Sequence, residues 1–86
     1  MENDEIKIKV KTTIIEALEL DLNPGDLDEN DSLYSGKLGL DSLNIISFLV
    51  ALEEKFDIMI YDEELRINLF DNINLITEFI HKKLNN

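Results

Sequence analysis

The only proline and all three glycines of the chain lie in one stretch, between residues 21 and 41. Glycine and proline interrupt regular helices, so this stretch is expected to be a long connection between helical segments. The chain has 86 residues, of which 44% are hydrophobic and 31% are charged. This length and balance predict one small ordered domain built from helices packed on helices.

Outside the connection, apolar residues recur at the spacing of helix faces. We expect a first helix over about residues 3–20, a second over Ser42–Phe56 with Asp41 as its N-cap, and a last over about 71–84. A short helical turn is expected at about 62–66. The stripe of the first helix is Ile6, Val10, Ile14, Ala17 and Leu18, and that of the last is Ile73, Ile76, Phe79, Ile80 and Leu84.

The long connection is polar, but leucines recur along it. They are Leu22, Leu27, Leu33, Leu38 and Leu40. A loop of this length in a small domain is usually functional or is held in place by its own apolar side chains. We expect these leucines to attach the loop to the core.

The sequence has 19 acidic and 8 basic residues and a formal net charge of −11. Nucleic acids and anionic membranes need basic surfaces, so this charge argues against both. It favours basic protein partners, although many small domains are acidic without such a role. The absence of cysteine excludes disulfides, thiolate metal sites and a cysteine nucleophile.

No apolar run approaches the ~20 residues of a membrane span, and residues 1–11 lack the apolar segment of a signal peptide. We therefore expect a cytoplasmic location.

Ser42 stands at the expected start of the second helix. The first turn of a helix has unpaired backbone N–H groups and the positive end of the helix dipole, which favour a phosphate group. An Asp-Ser pair is also common at ordinary helix starts, so Asp41 and Ser42 alone do not identify a site.

The second helix has three longitudinal strips, counted at about 100° per residue. The core-facing strip is Ile45, Leu49, Leu52 and Phe56, with Phe48 at its margin. The solvated side is Asn44, Ser47, Ala51 and Lys55. A third strip contains Leu43, Ile46 and Val50 and is bordered by Ser42, Glu53 and Glu54. The third strip is interpreted either as a docking surface or as residues that pack beneath the long loop.

The runs LGLDSL (residues 38–43), FLVALEEKFDI (48–58) and IYDEEL (60–65) resemble the acyl and peptidyl carrier proteins. The resemblance covers nearly the whole chain and implies one carrier-protein domain over residues 1–86, folded as a four-helix bundle. It implies that Ser42 receives 4′-phosphopantetheine from coenzyme A, with Asp41 and Leu43 in the recognition site of the transferase. The arm would carry acyl or aminoacyl intermediates as thioesters in fatty acid, polyketide or related biosynthesis.

On the same resemblance the chain is a carrier and not an enzyme, has no metal site and is a monomer. Its partners would be a phosphopantetheinyl transferase (holo-carrier synthase), an acyl- or aminoacyl-loading ligase and downstream acyl-processing enzymes. Their contact residues would be Leu43, Ile46, Val50, Glu53 and Glu54.

Four positions depart from fatty-acid carriers of this family. Asn44 and Ser47 replace the usual acids, Tyr61 replaces a common proline, and Lys37 adds a base before the motif. These departures favour a carrier of a specialised pathway, of the D-alanyl, aminoacyl or peptidyl type.

Three other classes of protein share single features of this sequence. A serine hydrolase is disfavoured because the residues around Ser42 lack a nucleophile elbow and the only histidine, His81, is near the end of the chain. An EF-hand starting at Asp26 would need glycine where Asp31 stands and glutamate where Lys37 stands. The remaining alternative is an unmodified acidic helical adaptor.

Overall fold

The computed structural model describes residues 2–66 and 70–85. Within these ranges the chain forms three α-helices and no β-strand. The helices are α1 (Asn3–Ala17), α2 (Ser42–Phe56) and α3 (Ile73–Leu84), and two 3-10 turns occupy Pro24–Asp26 and Asp62–Arg66. The expected all-α class is confirmed.

The short element expected at 62–66 is present as a 3-10 turn. Residues 67–69 lie outside the described part of the chain, so the four-helix count stays a prediction. The bounds of α2 are those expected from the sequence. The first helix is shorter than expected, because it ends at Ala17 and Glu19 takes a left-handed conformation with φ of 52°. The last helix starts two residues later than expected, where the Asn72 side chain accepts a hydrogen bond from the Leu75 N–H at 2.9 Å.

The core lies where α1 packs against both α2 and α3. Its most buried side chains are Ile6, Val10, Ile14, Phe48, Leu52, Ile73, Ile76 and Ile80. Two threonines are also buried, and each satisfies its hydroxyl within its own helix: Thr13 donates to the Lys9 carbonyl at 2.6 Å and Thr77 to the Ile73 carbonyl at 2.8 Å. The core therefore includes polar side chains without leaving their hydroxyls unpaired.

The long loop is attached to the core by leucines, as the sequence predicts. Leu27, Leu33 and Leu40 are buried and Leu38 is half-buried, whereas Leu22 is exposed. The buried and half-buried leucines give the loop its own share of the core. This burial restricts the conformations that lead into α2.

Hydrogen bonds join the same loop to α1 and to the start of α3. The Leu33 N–H donates to the Asp71 carbonyl at 2.8 Å, and the Asn74 N–H donates to the Glu29 carbonyl at 3.2 Å. Glu29 accepts from the Nζ atoms of Lys11 and Lys7 at 3.2 and 3.4 Å. These hydrogen bonds hold the pKa of the Glu29 carboxyl below its usual range, with the Lys11 bond the largest cause.

No helix in the described ranges is both long and apolar enough to cross a membrane.

Candidate functional site

The N-terminus of α2 is capped by reciprocal hydrogen bonds between two side chains and two backbone groups. The Asp41 carboxylate accepts from the Asn44 N–H at 2.9 Å, and the Asn44 side-chain oxygen accepts from the Asp41 N–H at 3.3 Å. Asp41 has the extended backbone typical of an N-cap. The cap at Asp41 was predicted from the sequence, but the role of Asn44 was missed. Its signal is the spacing, since Asn44 occupies the third helical position of a capping box.

Ser42 is the first residue of α2, and it is exposed. Two features fix its position. The preceding Leu40 is buried, and its N–H donates to the Leu33 carbonyl at 2.8 Å. The second feature is Gly39, which comes just before Leu40 and has φ of +54°, a conformation that residues with a Cβ rarely adopt. The chain therefore turns from an anchored leucine directly into a capped helix, with the Ser42 hydroxyl accessible to solvent.

The core-facing strip of α2 lies against the core as the sequence predicts, but Phe48, expected at the margin of this strip, is fully buried. Phe48, Leu52 and Phe56 are buried, and Ile45 and Leu49 are partly buried against the core. The rings of Phe48 and Phe70 meet edge to face with their centroids 6.0 Å apart. Because this strip holds α2 against the rest of the domain, the outer residues of α2 are free to face solvent.

The outer strip of α2, defined here as Leu43, Ile46 and Val50, is exposed. The exposed fractions are 75% for Leu43, 58% for Ile46 and 45% for Val50. The interpretation that Ile46 and Val50 pack beneath the long loop is therefore wrong. Three neighbouring apolar side chains in water, next to an exposed serine, are typical of a surface that another molecule covers.

The two glutamates at the far end of α2 differ in their surroundings. Glu54 is exposed, whereas Glu53 is half-buried and accepts a hydrogen bond from the Ile60 N–H at 3.0 Å. The neighbouring Lys55 pairs with Glu16 of α1 at 3.3 Å. Helix α2 ends at Phe56, and its C-cap residue Asp57 has φ of 53°. Glu53 thus joins the end of α2 to the segment that follows.

Sequence reasoning did not assign a role to exposed apolar side chains in that following segment. Met59 is 65% exposed and Tyr61 is 52% exposed. Glu64 accepts from the Tyr61 N–H at 2.8 Å and from Lys83 Nζ at 2.7 Å. These bonds, chiefly the one from Lys83, lower the pKa of the Glu64 carboxyl. The signal in the sequence was Met59, an apolar residue that belongs to no apolar helix stripe.

The loop aspartates that suggested an EF-hand have local structural roles instead. Three loop aspartates accept backbone N–H bonds at 2.9 Å: Asp26 from Asn23, Asp28 from Asn30 and Asp31 from Lys37. No group of three or more histidine, aspartate or glutamate side chains in the described ranges is arranged to hold a metal ion. His81 lies in the last turn of α3.

The family model described as "Phosphopantetheine attachment site" matches residues 9–80. The chain is 37% identical over 83 residues to the acyl carrier protein of Borreliella burgdorferi, covering 96% of this chain and 98% of that protein. It is 35% identical over 80 residues to the acyl carrier protein of Petrotoga mobilis, covering 91% of each. With that of Sulfurovum sp. it shares 42% identity over 55 residues, covering 64% of this chain and 69% of the relative.

An all-helical domain that displays a serine at a capped helix start defines a class of attachment scaffold. The chain belongs to the acyl carrier protein family, whose covalent cofactor is phosphopantetheine. Members of this family are carriers and not catalysts, and they work with phosphopantetheinyl transferases and acyl-processing enzymes.

The residues at the start of α2 fit this cofactor. Ser42 offers an exposed hydroxyl, and the backbone N–H groups of Ser42 and Leu43 at the first turn have no partner one turn earlier in the helix. Such N–H groups and the helix dipole favour a negatively charged phosphate. Asn44 and Ser47 add no further negative charge on this half of α2.

Proposed function

We propose that this chain is a carrier protein and that Ser42 is the residue to which phosphopantetheine is attached. The observation that supports this most strongly is the exposed serine at the capped start of α2, inside the segment that matches the family model. Ser42 would act as an acceptor, and a transferase would supply the catalysis with coenzyme A as donor. The proposal treats residues 1–86 as one carrier domain with the four-helix arrangement of its family.

Each residue at the start of α2 has its own part in this proposal. Asp41 fixes the helix start through its hydrogen bond from the Asn44 N–H, and so orients Ser42. The first-turn N–H groups favour the negative charge of the phosphate. Leu43, beside the serine and 75% exposed, is proposed to contact the transferase together with Asp41. When bound, phosphopantetheine supplies a flexible arm with a terminal thiol that holds an acyl or aminoacyl group as a thioester.

The outer strip of α2 is proposed to contact the transferase, the loading ligase and later acyl-processing enzymes. Its exposure supports this role, because the described residues leave most of the Leu43 and Ile46 side chains open to solvent. Glu54 is exposed beside it and would attract a basic partner surface. Glu53 would contribute through the carboxylate oxygen that does not accept the Ile60 N–H.

For the pathway, we propose fatty acid, polyketide or related biosynthesis, with a cytoplasmic location and a monomeric carrier. One observation favours a specialised aminoacyl or peptidyl type as the second candidate. After Ser42 the first turns of α2 carry no acidic side chain, because Ser47 has no charge and the Asn44 amide is engaged in the cap. A partner set selected for acids at positions 44 and 47 would find none there.

Intact mass after coexpression with a phosphopantetheinyl transferase tests the attachment site. The wild-type chain is expected to gain the mass of one phosphopantetheinyl group, and Ser42→Ala is expected to gain nothing. Ser47→Ala, which removes the next exposed hydroxyl along α2, is the matched control and is expected to be modified like the wild type.

The same measurement separates a carrier from an unmodified adaptor. A wild-type chain that stays unmodified with active transferase and coenzyme A supports the adaptor. A mass gain that persists in Ser42→Ala means that another residue is the acceptor.

A further inference from the structure

A cavity of about 590 Å³ lies between the long loop and the start of α3. Its volume is within the usual range of small-molecule sites, about 300–1,000 Å³. Among the described residues, none of α2 lines this cavity, so it is separate from the strips of α2 described above. The apolar part of its wall is formed by Leu22, Leu27, Leu33, Leu38 and Ile73.

Hydrogen bonds between the loop and α3 hold the walls of the cavity in place. The Leu33 N–H donates to the Asp71 carbonyl at 2.8 Å, just before α3 begins. In the first turn of α3 the Asn74 side chain donates to the Asn30 side chain at 2.6 Å. The cavity is therefore formed before any ligand enters it, and binding does not have to order the loop.

Acidic side chains predominate among the charged groups of the wall. Asp26, Asp28 and Asp31 contribute carboxylates, and each accepts a backbone N–H at 2.9 Å, which fixes the carboxylate without neutralising it. Lys37 contributes the ammonium group at the edge of the cavity and is exposed. Apolar walls with an excess of carboxylates suit a ligand that has an aliphatic body and a positively charged head.

The cavity lies close to Ser42 in space. Leu33, which lines it, accepts from the Leu40 N–H at 2.8 Å. Ser42 follows Leu40 by two residues, a separation of at most about 7 Å along an extended chain. A group attached to Ser42 through a flexible arm is therefore within reach of the cavity. The attachment also gives that group a high effective concentration there, which an untethered ligand lacks.

We propose that this cavity holds the cargo of the arm when the cargo is an aminoacyl group with an aliphatic side chain. The aliphatic side chain would lie against the leucines of the loop, and the protonated α-amino group would face Asp28 and Asp31. An uncharged acyl group would gain only the apolar contacts. The inference rests on the proposed function, because it assumes an arm on Ser42, and it favours the aminoacyl type of carrier.

Two cargoes that differ only in the amino group test the cavity. A phosphopantetheinyl transferase attaches a leucyl or a 4-methylpentanoyl arm to Ser42 from the matching coenzyme A thioester. Hydrolysis of each thioester is followed by intact mass at about pH 6.5, where an α-amino group is protonated. We expect the leucyl group to hydrolyse about three- to tenfold more slowly on the wild-type chain than on free coenzyme A, because the cavity excludes water. The 4-methylpentanoyl group should be protected less.

The double variant Asp28→Asn/Asp31→Asn tests the charge of the wall. Asparagine removes each charge but keeps an oxygen that accepts the backbone N–H. This variant is expected to lose most of the protection of the leucyl group and to leave hydrolysis of the 4-methylpentanoyl group unchanged.

Asp4→Asn/Asp57→Asn is the matched control. It removes the same charge from two exposed aspartates that do not line the cavity, and it should protect the leucyl group as the wild type does. Equal loss of protection in the two double variants would show an effect of net charge alone and would overturn the assignment of the cavity.

Amide chemical shifts give a second measurement that does not depend on thioester hydrolysis. Between the chain with an unloaded arm and the leucyl chain, we expect the largest changes at Leu22, Leu33, Leu38 and Ile73. Largest changes in α2, or no changes in the protein, mean that the cargo lies elsewhere or in solvent. Either result overturns the cavity as the cargo site and leaves Ser42 as the attachment site. A wild-type chain that accepts no arm overturns both.

Discussion

The long loop at residues 21–41 and the outer strip of α2 both contain apolar side chains, but the two regions use them in opposite ways. In the loop, Leu27, Leu33 and Leu40 are at most 7% exposed. In the outer strip, Leu43 and Ile46 are more than half exposed. The irregular segment thus contributes to the core, while the regular helix presents apolar surface to solvent.

The difference suggests different roles for the apolar side chains, in folding for those of the loop and in partner recognition for those of the outer strip. Burial of apolar side chains is the main source of folding free energy, so the loop leucines stabilise the domain and fix the position of the residues before Ser42. Exposed side chains of α2 add little to that stability, and we propose that they are exposed because partners bind them. The regularity of a segment is therefore no guide to its role in this chain.

The largest expected effect comes from Leu33→Ala in the loop. Leu33 is 2% exposed, so the truncation leaves a cavity and is expected to lower the free energy of unfolding by about 2–5 kcal/mol. Urea denaturation followed by circular dichroism measures this. A loss below that of an ordinary surface substitution would mean that the loop is not part of the core.

A second test of the loop uses two of its glycines. A Cβ at Gly36 would collide with the Asp31 side chain and the Ser32 carbonyl, whereas at Gly25 it would meet no atom within 4 Å. We expect Gly36→Ala to destabilise the domain by about 1–3 kcal/mol, as overpacking does. Gly25→Ala is the matched control and is expected to be neutral or slightly stabilising in the same denaturation experiment. Equal effects at the two positions would argue against a fixed loop.

Acid denaturation tests the attachment of the loop to α1. Lys11 and Lys7 hold the pKa of Glu29 below its usual value of 4.5. A carboxyl with a lowered pKa in the folded state stabilises the fold above its unfolded pKa, and this stabilisation is lost as the pH falls through the folded pKa. We expect Glu29→Gln to lose stability less steeply than the wild type below about pH 4.5. Glu5→Gln on α1 removes one charge but keeps these ion pairs, and it should follow the wild-type slope.

The smallest effect on stability is expected for Ile46→Ala in the outer strip. Because Ile46 is 58% exposed, the free energy of unfolding should change by no more than about 0.5 kcal/mol. The same variant is expected to slow modification or loading by partner enzymes, measured by intact mass over time. If Ile46→Ala instead destabilises the domain as much as Leu33→Ala does, the contrast between loop and strip is lost.

Much of the fold could be predicted from the sequence because helix signals here are local. Asp41 followed by an apolar pattern predicted the start of α2, and the spacing of Ile45, Leu49, Leu52 and Phe56 predicted the side of α2 that faces the core. The end of α1 could not be predicted, because Leu18 continues the apolar stripe past the last helical residue. That boundary depends on how the loop returns across the core, which is a tertiary property.

The candidate site was predictable only in part for the same reason. Ser42 and the outer strip follow from position on one helix. The contacts of Lys83 with Glu64 and Tyr61 join residues about 20 positions apart, and the Glu53 bond to the Ile60 N–H crosses a helix end. Such contacts have no periodic signature, so the arrangement of residues 59–64 beside α2 and α3 was visible only in three dimensions.

The way the long loop is bonded affects how the chain meets proteases. A stretch of some twenty residues without regular secondary structure is ordinarily where a protease cuts first. Here the backbone of Leu33 is hydrogen-bonded on both sides, to Asp71 and to Leu40, and its side chain is buried. Cleavage at Leu33 would require this residue to leave the core, so the loop should be cut there more slowly than an unattached loop of the same length.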